Sequence, residues 1–497
     1  MNIMRFLGIL IGLSLWLGKI GAADAPGDPV VFGLTNLWNI QLTISPKAWK
    51  EMSAKTTARS QPNQARGFSG VLMDGIFGNN NNGRPSGGYG GRRRDDYNWA
   101  TCNVQAGGKL WTNVAIRFKG NSSFVRAPNG LKRPFKLDFN RDAPGRTFFG
   151  EEELVLNNNV NDATQMREAL AYDLFRKAGI AAPRTAFAAV TLTIPGQVEK
   201  QFLGLYTIVE PVTHDFLKKN FGTATGLLVK PEMMQGLAYF GDDWAQYEGR
   251  YGPKGKVDPA EAKRMVDLAR FIQTADPESF AGGLAKFMDP EPFLRFVALN
   301  SLLANIDSFI GNGHNYYLFI DARTHKAHFI PWDLNESFGA HPVSGPSVEQ
   351  MTFSVLRPNA DPNMLIERCV GDPRLGPAYR GQLTSLMTNV FEPRLLHAAI
   401  DQIAAVTRRV VEGETKRAKA DFQRTVLGTL PPGDGDVEQP RHDPEIGRDG
   451  YRPWGFPDAV QIDNLPLKTW VTGRYRNAKG QLDGTVRGRR PRARIGN

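Results

Sequence analysis

Between Asn39 and Ile44 polar and apolar residues alternate (Asn-Ile-Gln-Leu-Thr-Ile), which puts Ile40, Leu42 and Ile44 on one face of a strand. Ser45-Pro46 behind it has the order that opens a helix: a hydroxyl that accepts an orphan amide, then a ring with no amide to satisfy. The two-residue period returns over Leu110–Phe118 and Arg133–Phe139, and Gly120-Asn121-Ser122-Ser123 between them predicts a hairpin with a small-residue tip. The period then lengthens. Met166, Leu170, Leu174 and Ala178 line one face of a helix, with Asp162 and Gln165 as its capping box and Gly179 as its stop. Phe187–Ile194 and Phe202–Val209, joined by Pro195-Gly196, form a strand pair, and the second runs into Glu210-Pro211-Val212. A short helix (Asp215–Asn220) and a strand (Gly226–Lys230) follow. From Pro259 the texture is helical, and Asp289-Pro290 opens a long helix that delivers the chain to Asn305-Ile306-Asp307. Tyr316–Ile320 and His328–Ile330 pair as short strands ending at Pro331-Trp332-Asp333. Residues 363–425 are helical, 430–458 read as loop, and Leu467–Arg476 as a last helix. The order predicts an α+β fold, β-rich first and mainly helical after, with no internal repeat.

Three segments stand outside that pattern. Arg5, the apolar run Phe6–Leu17 and the small residues Gly21-Ala22-Ala23 form the order of a secretory signal over 1–23. This places the mature chain outside the cytoplasm, secreted or in the periplasm or envelope. Residues 74–98, rich in Asn, Gly and Arg, have too little apolar surface to offset chain entropy and read as a mobile insertion. The tail 485–497 is basic. The net charge of +11 therefore changes little, because Arg84, Arg92, Arg93 and Arg94 lie in the insertion and Arg487, Arg489, Arg490, Arg492 and Arg494 in the tail. Such arms read first as solvated charged segments, with contact to anionic surfaces as the alternative, and no motif for specific nucleic-acid readout accompanies them. Two cysteines, Cys102 and Cys369, exclude a disulfide-stapled scaffold and a Cys-rich zinc site, and leave their pairing open.

Candidate chemistry concentrates at Asp307 and Asn312, five residues apart where the long helix ends, and at Asp333 after a nearby strand. One carboxylate can face a nucleophile while an amide and a second carboxylate hold Mg²⁺, which needs few protein oxygens when phosphates supply the others. Base Asp, metal Asn and metal Asp are the parts of phosphoryl transfer. Alone, the spacing is common in loops, where Asp307 would merely end a helix and Asp333 form a turn. The pieces before it tip the reading. Gly120-Asn121-Ser122-Ser123 offers backbone amides to phosphates, and Lys132, Arg133 and Lys136 lie in or beside the returning strand. Glu168 can hold such a lysine, and Glu210-Pro211-Val212 is placed as a linker whose backbone meets a purine edge. Plainer readings exist for each: Asn121-Ser122-Ser123 is also a glycosylation sequon, and the lysines suit a solvated strand. His314 reads as a packing or hydrogen-bonding residue.

Several stretches resemble the spore-coat-protein-H-like (CotH) kinase family: Arg117-Phe118-Lys119-Gly120-Asn121-Ser122-Ser123, Gly204 to Val212, Asn305-Ile306-Asp307, His314 to Phe319, Ile330 to Asn335, and the late segment Trp470–Leu482. The resemblance implies an atypical two-lobed protein-kinase-like fold, with a β-rich lobe over 24–212 and a mainly helical catalytic lobe over 213–484. It implies ATP, Mg²⁺ or Mn²⁺, and transfer to Ser/Thr hydroxyls of a secreted, envelope or coat protein. By position Asp307 matches the family's catalytic Asp and Asp333 its metal-binding Asp. Asn312 and Asn315 both stand for the amide ligand, and Lys132, Lys136 and Lys230 all fall in family-like segments. Where members often continue Trp-Asp with Leu-Asp, this chain has Leu334-Asn335. Two further readings stay open: a non-catalytic envelope or coat scaffold on a degenerate kinase fold, and a nucleotide-dependent transferase with another acceptor.

Overall fold

The computed structural model describes residues 29–59, 97–120, 122–125, 127, 130–234, 236–429 and 465–492. The signal segment, nearly all of the insertion, Asn121, the loop 430–458 and the last five residues lie outside them.

Seven strands close into a barrel in the order β1-β2-β3-β4-β5-β7-β6. They are β1 (Leu37–Ile44), β2 (Ala100–Ala106), β3 (Lys109–Phe118), β4 (Phe135–Asp138), β5 (Glu153–Asn157), β6 (Thr185–Ile194) and β7 (Val198–Val209). All neighbours are antiparallel except the closing pair, β1 with β6, which runs parallel from Leu37↔Phe187 to Thr43↔Thr193. The alternation read from the sequence is what fills the barrel. Ile40, Leu42 and Ile44 point inward beside Val104, Ile116, Phe135, Leu137 and Ile208. β6 and β7 serve two cores at once, because Ala186, Ala188 and Tyr206 face the barrel while Phe187, Leu205 and Val209 face the helical core.

The β-rich part thus differs from the sequence expectation in being closed and in holding two unforeseen strands, β2 and β5. The hairpin expected across Gly120–Ser123 is a longer connection, Lys119 to Pro134, that carries one helical turn (Ser122–Val125). The expected capping box is also absent. The helix begins at Arg167, and Gln165 sits at φ +54°. Asp162 instead accepts from the Arg167 amide at 2.8 Å and pairs with the Arg167 guanidinium, both side chains buried.

The rest is mainly helical around an antiparallel three-stranded sheet, β8 (Gly226–Val229), β9 (Tyr316–Asp321) and β10 (Ala327–Pro331), in the order β10-β9-β8. The helix Arg167–Lys177, though it interrupts the barrel strands in sequence, packs into this second core. So does the C-terminal helix Leu467–Leu482. Cys102 lies in the barrel and Cys369 in the helical core, both buried free thiols. Among the described residues no helix is long and apolar enough to cross a membrane.

Candidate functional site

The helix Pro290–Leu302 starts in the expected way, with Asp289 before Pro290, and ends just short of Asp307. Ala304 turns left-handed at φ +46°, and buried Asn305 donates to Asn300 Oδ1 at 2.9 Å, which fixes the exit. The loop then doubles back so tightly that a Cβ on Gly311 would lie 1.8 Å from the Ile306 carbonyl oxygen. That return brings both candidate amides onto one carboxylate. Asn312 Nδ2 donates to Asp307 Oδ1 at 2.6 Å, and Asn315 Nδ2 to Asp307 Oδ2 at 2.7 Å. Donors to both oxygens fix the plane of the carboxylate. Asn312 Oδ1 is inaccessible and has no hydrogen-bond partner among the described residues.

Asp333 leaves β10 at φ +52°, and its amide donates to Tyr172 Oη at 3.0 Å. Tyr172 lies one turn beyond Glu168 on the helix Arg167–Lys177, so one helix face touches the Asp333 backbone and carries a buried carboxylate. Glu168 Oε2 accepts from Asn157 Nδ2 at 2.7 Å, and Asn157 Oδ1 in turn accepts from Lys119. One amide at the end of β5 therefore joins a lysine after β3 to a glutamate on the helix. Burial, then the Asp333 charge, pushes the Glu168 carboxyl up to about 8. Its Oε1 has no hydrogen-bond partner among the described residues. Burial lowers the Lys119 pKa, against the opposing pull of Asp333 and Glu168. Lys230 lies in the same field, with its Nζ 5.8 Å from the Tyr317 ring and 6.0 Å from that of Trp332. Burial lowers the His314 pKa, opposed first by Asp307.

A third group adjoins these. Asp307, Glu336 and His341 bring ligand atoms within 4.8 Å of one another, with His341 Nδ1 and Glu336 Oε2 2.7 Å apart. Burial, then nearby Asp307, raises the Glu336 pKa. Carboxylate and amide oxygens with one imidazole suit a hard divalent cation such as Mg²⁺ or Mn²⁺.

The remaining sequence candidates are placed differently. Lys132 is in a buried ion pair with Glu414 at 2.8 Å, and Lys136 pairs with Glu153 on the adjacent strand at 2.8 Å. Both Glu210 carboxylate oxygens and its amide are taken by Arg184: Oε2 accepts the Arg184 amide, Oε1 its guanidinium, and the Glu210 amide donates to the Arg184 carbonyl. Gly120 has φ +73°, and a Cβ there would meet Ser123 Oγ at 2.5 Å. The Ser123 carbonyl accepts from Asn158 Nδ2, which also donates to the Lys132 carbonyl. Of Ser122 only its place in the helical turn is described, and Asn121 lies outside the described residues.

The family model for the CotH kinase protein matches residues 116–426. The chain belongs to the CotH kinase family. The inner spore coat protein H of Bacillus subtilis is 24% identical over 305 residues, covering 57% of this chain and 75% of that one. Two solved structures overlap loosely. One is a Shewanella oneidensis complex of HipA, HipB and operator DNA (15% identity, 67% of this chain, 59% of that chain, TM-score 0.24). The other is the Helicobacter pylori proinflammatory kinase CtkA (12% identity, 69% of this chain, 95% of that chain, TM-score 0.25). The CotH match contains Lys119, Asn157, Glu168, Asp307 and Asp333, so the grouped residues all fall inside it. Sequence reasoning passed over Lys119, Asn157, Tyr172, Glu336 and His341. Lys119 stood in a family-like stretch, next to the glycine turn, but β-strand register alone did not single it out.

Proposed function

We propose that this CotH kinase transfers the γ-phosphoryl group of ATP to Ser/Thr hydroxyls of a coat or extracytoplasmic protein. The observation that carries the reading is the gathering of two carboxylates, Asp307 and Asp333, with Lys119, Lys230 and Glu168, contributed by the barrel, one helix and the helical part. Phosphoryl transfer asks little covalent chemistry of a protein and much positioning and charge complementarity. Asp307, oriented by two amides, keeps an acceptor direction on each oxygen for a substrate hydroxyl and takes up its proton. Lys119 is withdrawn from solvent and placed for phosphate oxygens, and Asn157 with Glu168 fixes its direction. Tyr172 sets the Asp333 backbone. A divalent cation held by Asp333 with Asn312 or Asn315, or by the Asp307–Glu336–His341 group, would neutralise phosphate charge there. The spore-coat relative and the apolar N-terminal segment support a coat or extracytoplasmic acceptor.

The test is label transfer from γ-labelled ATP with Mn²⁺ or Mg²⁺. Asp307→Ala should reduce it on the order of 10²–10⁴-fold, the range of a general base. Asp333→Ala should lose it together with metal-dependent ATP binding by calorimetry. Wild-type turnover in both variants would sink the assignment.

A further inference from the structure

The C-terminal helix Leu467–Leu482 lies beyond the 116–426 match, yet its side chains end on both loops of the site. Arg474 is fully buried, and among the described residues its guanidinium donates only to main-chain carbonyls. Nη2 reaches Ser301 O at 2.8 Å and Nε reaches Leu302 O at 3.2 Å, the last turn of the helix that delivers Asp307. Nη1 bonds Met351 O at 3.0 Å and also Phe353 O, in the segment that follows Asp333, Glu336 and His341. Among the described residues no carboxylate pairs with it. Burial lowers its pKa to about 9, so it remains a cation at neutral pH.

Burying an unpaired charge is costly, and a neutral side chain could fill the same volume. What arginine alone supplies is a rigid planar fork that reaches several carbonyls at once, two of them at a helix C-terminus where positive charge is favoured. Trp470, one turn earlier, repeats the connection. Its Nε1 donates to Ser347 O at 3.1 Å, and its ring packs edge-on against Phe338 at 5.9 Å. A Cβ on Gly339 would lie 2.4 Å from Trp470 Nε1, and one on Gly473 would lie 2.2 Å from Met351 Sδ, so the helix and these loops meet at closest approach. Phe338 donates to Leu303 O at 2.7 Å, which ties the two loops directly beneath the helix.

We propose that Arg474 is a positioning residue for phosphoryl transfer, clamping the end of the Asp307 helix to the segment behind the Asp333 loop and so setting the separation of the two carboxylates. This rests on the phosphotransferase reading above. Arg474→Lys keeps charge and bulk but not the fork. In the full chain it should lower kcat about 100-fold, the scale of a small misplacement of reacting groups, with KM for ATP little changed. Hydrogen exchange should rise at 301–313 and 333–353 while β1–β7 keep wild-type protection. Unchanged kcat in Arg474→Lys, or a loss matched by exchange rising throughout the molecule, overturns the positioning role and leaves the kinase reading intact. A wild-type chain that transfers no label and binds no ATP overturns the kinase reading and the positioning role of Arg474 with it.

Discussion

At Glu168 a single side chain records how the site is balanced. Folding removes its carboxyl from water beside Asp333 and Asp162, while Lys119 and the Asn157 amide draw it back toward ionisation. Burial dominates, so the folded chain holds a proton that the unfolded chain releases. Unfolding then sheds that proton at any pH between the ordinary value of 4.5 and about 8. Stability from this group is complete below 4.5 and is lost as pH rises toward 8, by on the order of a few kcal/mol. Glu168→Gln, which cannot titrate, should flatten the fall in Tm across that window in the nucleotide-free protein. Calorimetric scans from pH 5 to 8 that superimpose for both proteins would contradict this account.

The connection Lys119 to Pro134 has a lysine near each end, and the two do different work. Lys119 enters the field of Glu168 and Asp333 through Asn157, whereas Lys132 pairs with Glu414 from the turn after the helix Pro393–Glu412. Glu414 Oε1 also accepts the Leu205 amide, and Gly204 at φ +103° leaves room for it. Removing Lys132 strands a buried carboxylate, so Lys132→Met should cost about 3–5 kcal/mol of stability while folded molecules bind ATP nearly as before. Lys119→Met should do the reverse, leaving Tm close to wild type and abolishing label transfer. Denaturant melts and ATP titrations on the pair separate the two roles. The same stretch shows what the sequence could carry. Regular alternation revealed β1, β3 and β4, because one face of each fills the barrel, while β6 and β7, which serve both cores, were marked off by the Pro195-Gly196 turn between them. It concealed β5, where Leu154 and Leu156 enter the barrel but Val155 enters the helical core, so three apolar residues run together. β2 was hidden by small inward residues, Cys102, Val104 and Ala106. Asp307, Asp333, Asn312 and Asn315 were legible from short spacings. Lys119 and Asn157 were not, since only strand pairing brings the ends of β3 and β5 to one helix.

For the molecule as a whole, the site is built on a frame larger than the segment that defines the family. β1 and β2 lie before residue 116, most of β3 does too, and the helix bearing Arg474 lies after 426. A fragment cut to 116–426 would lose β1, β2 and all of β3 but its last three residues, exposing the hydrogen-bonding rims of that remnant and of β6. It would also open the face of the helical core now covered by Trp470 and Val471. Bare strand rims recruit other strands, so that fragment should self-associate as its concentration rises. Sedimentation of the fragment against the full chain would show it. The boundaries that identify this CotH family member from its relatives are therefore the wrong ones at which to cut it for expression.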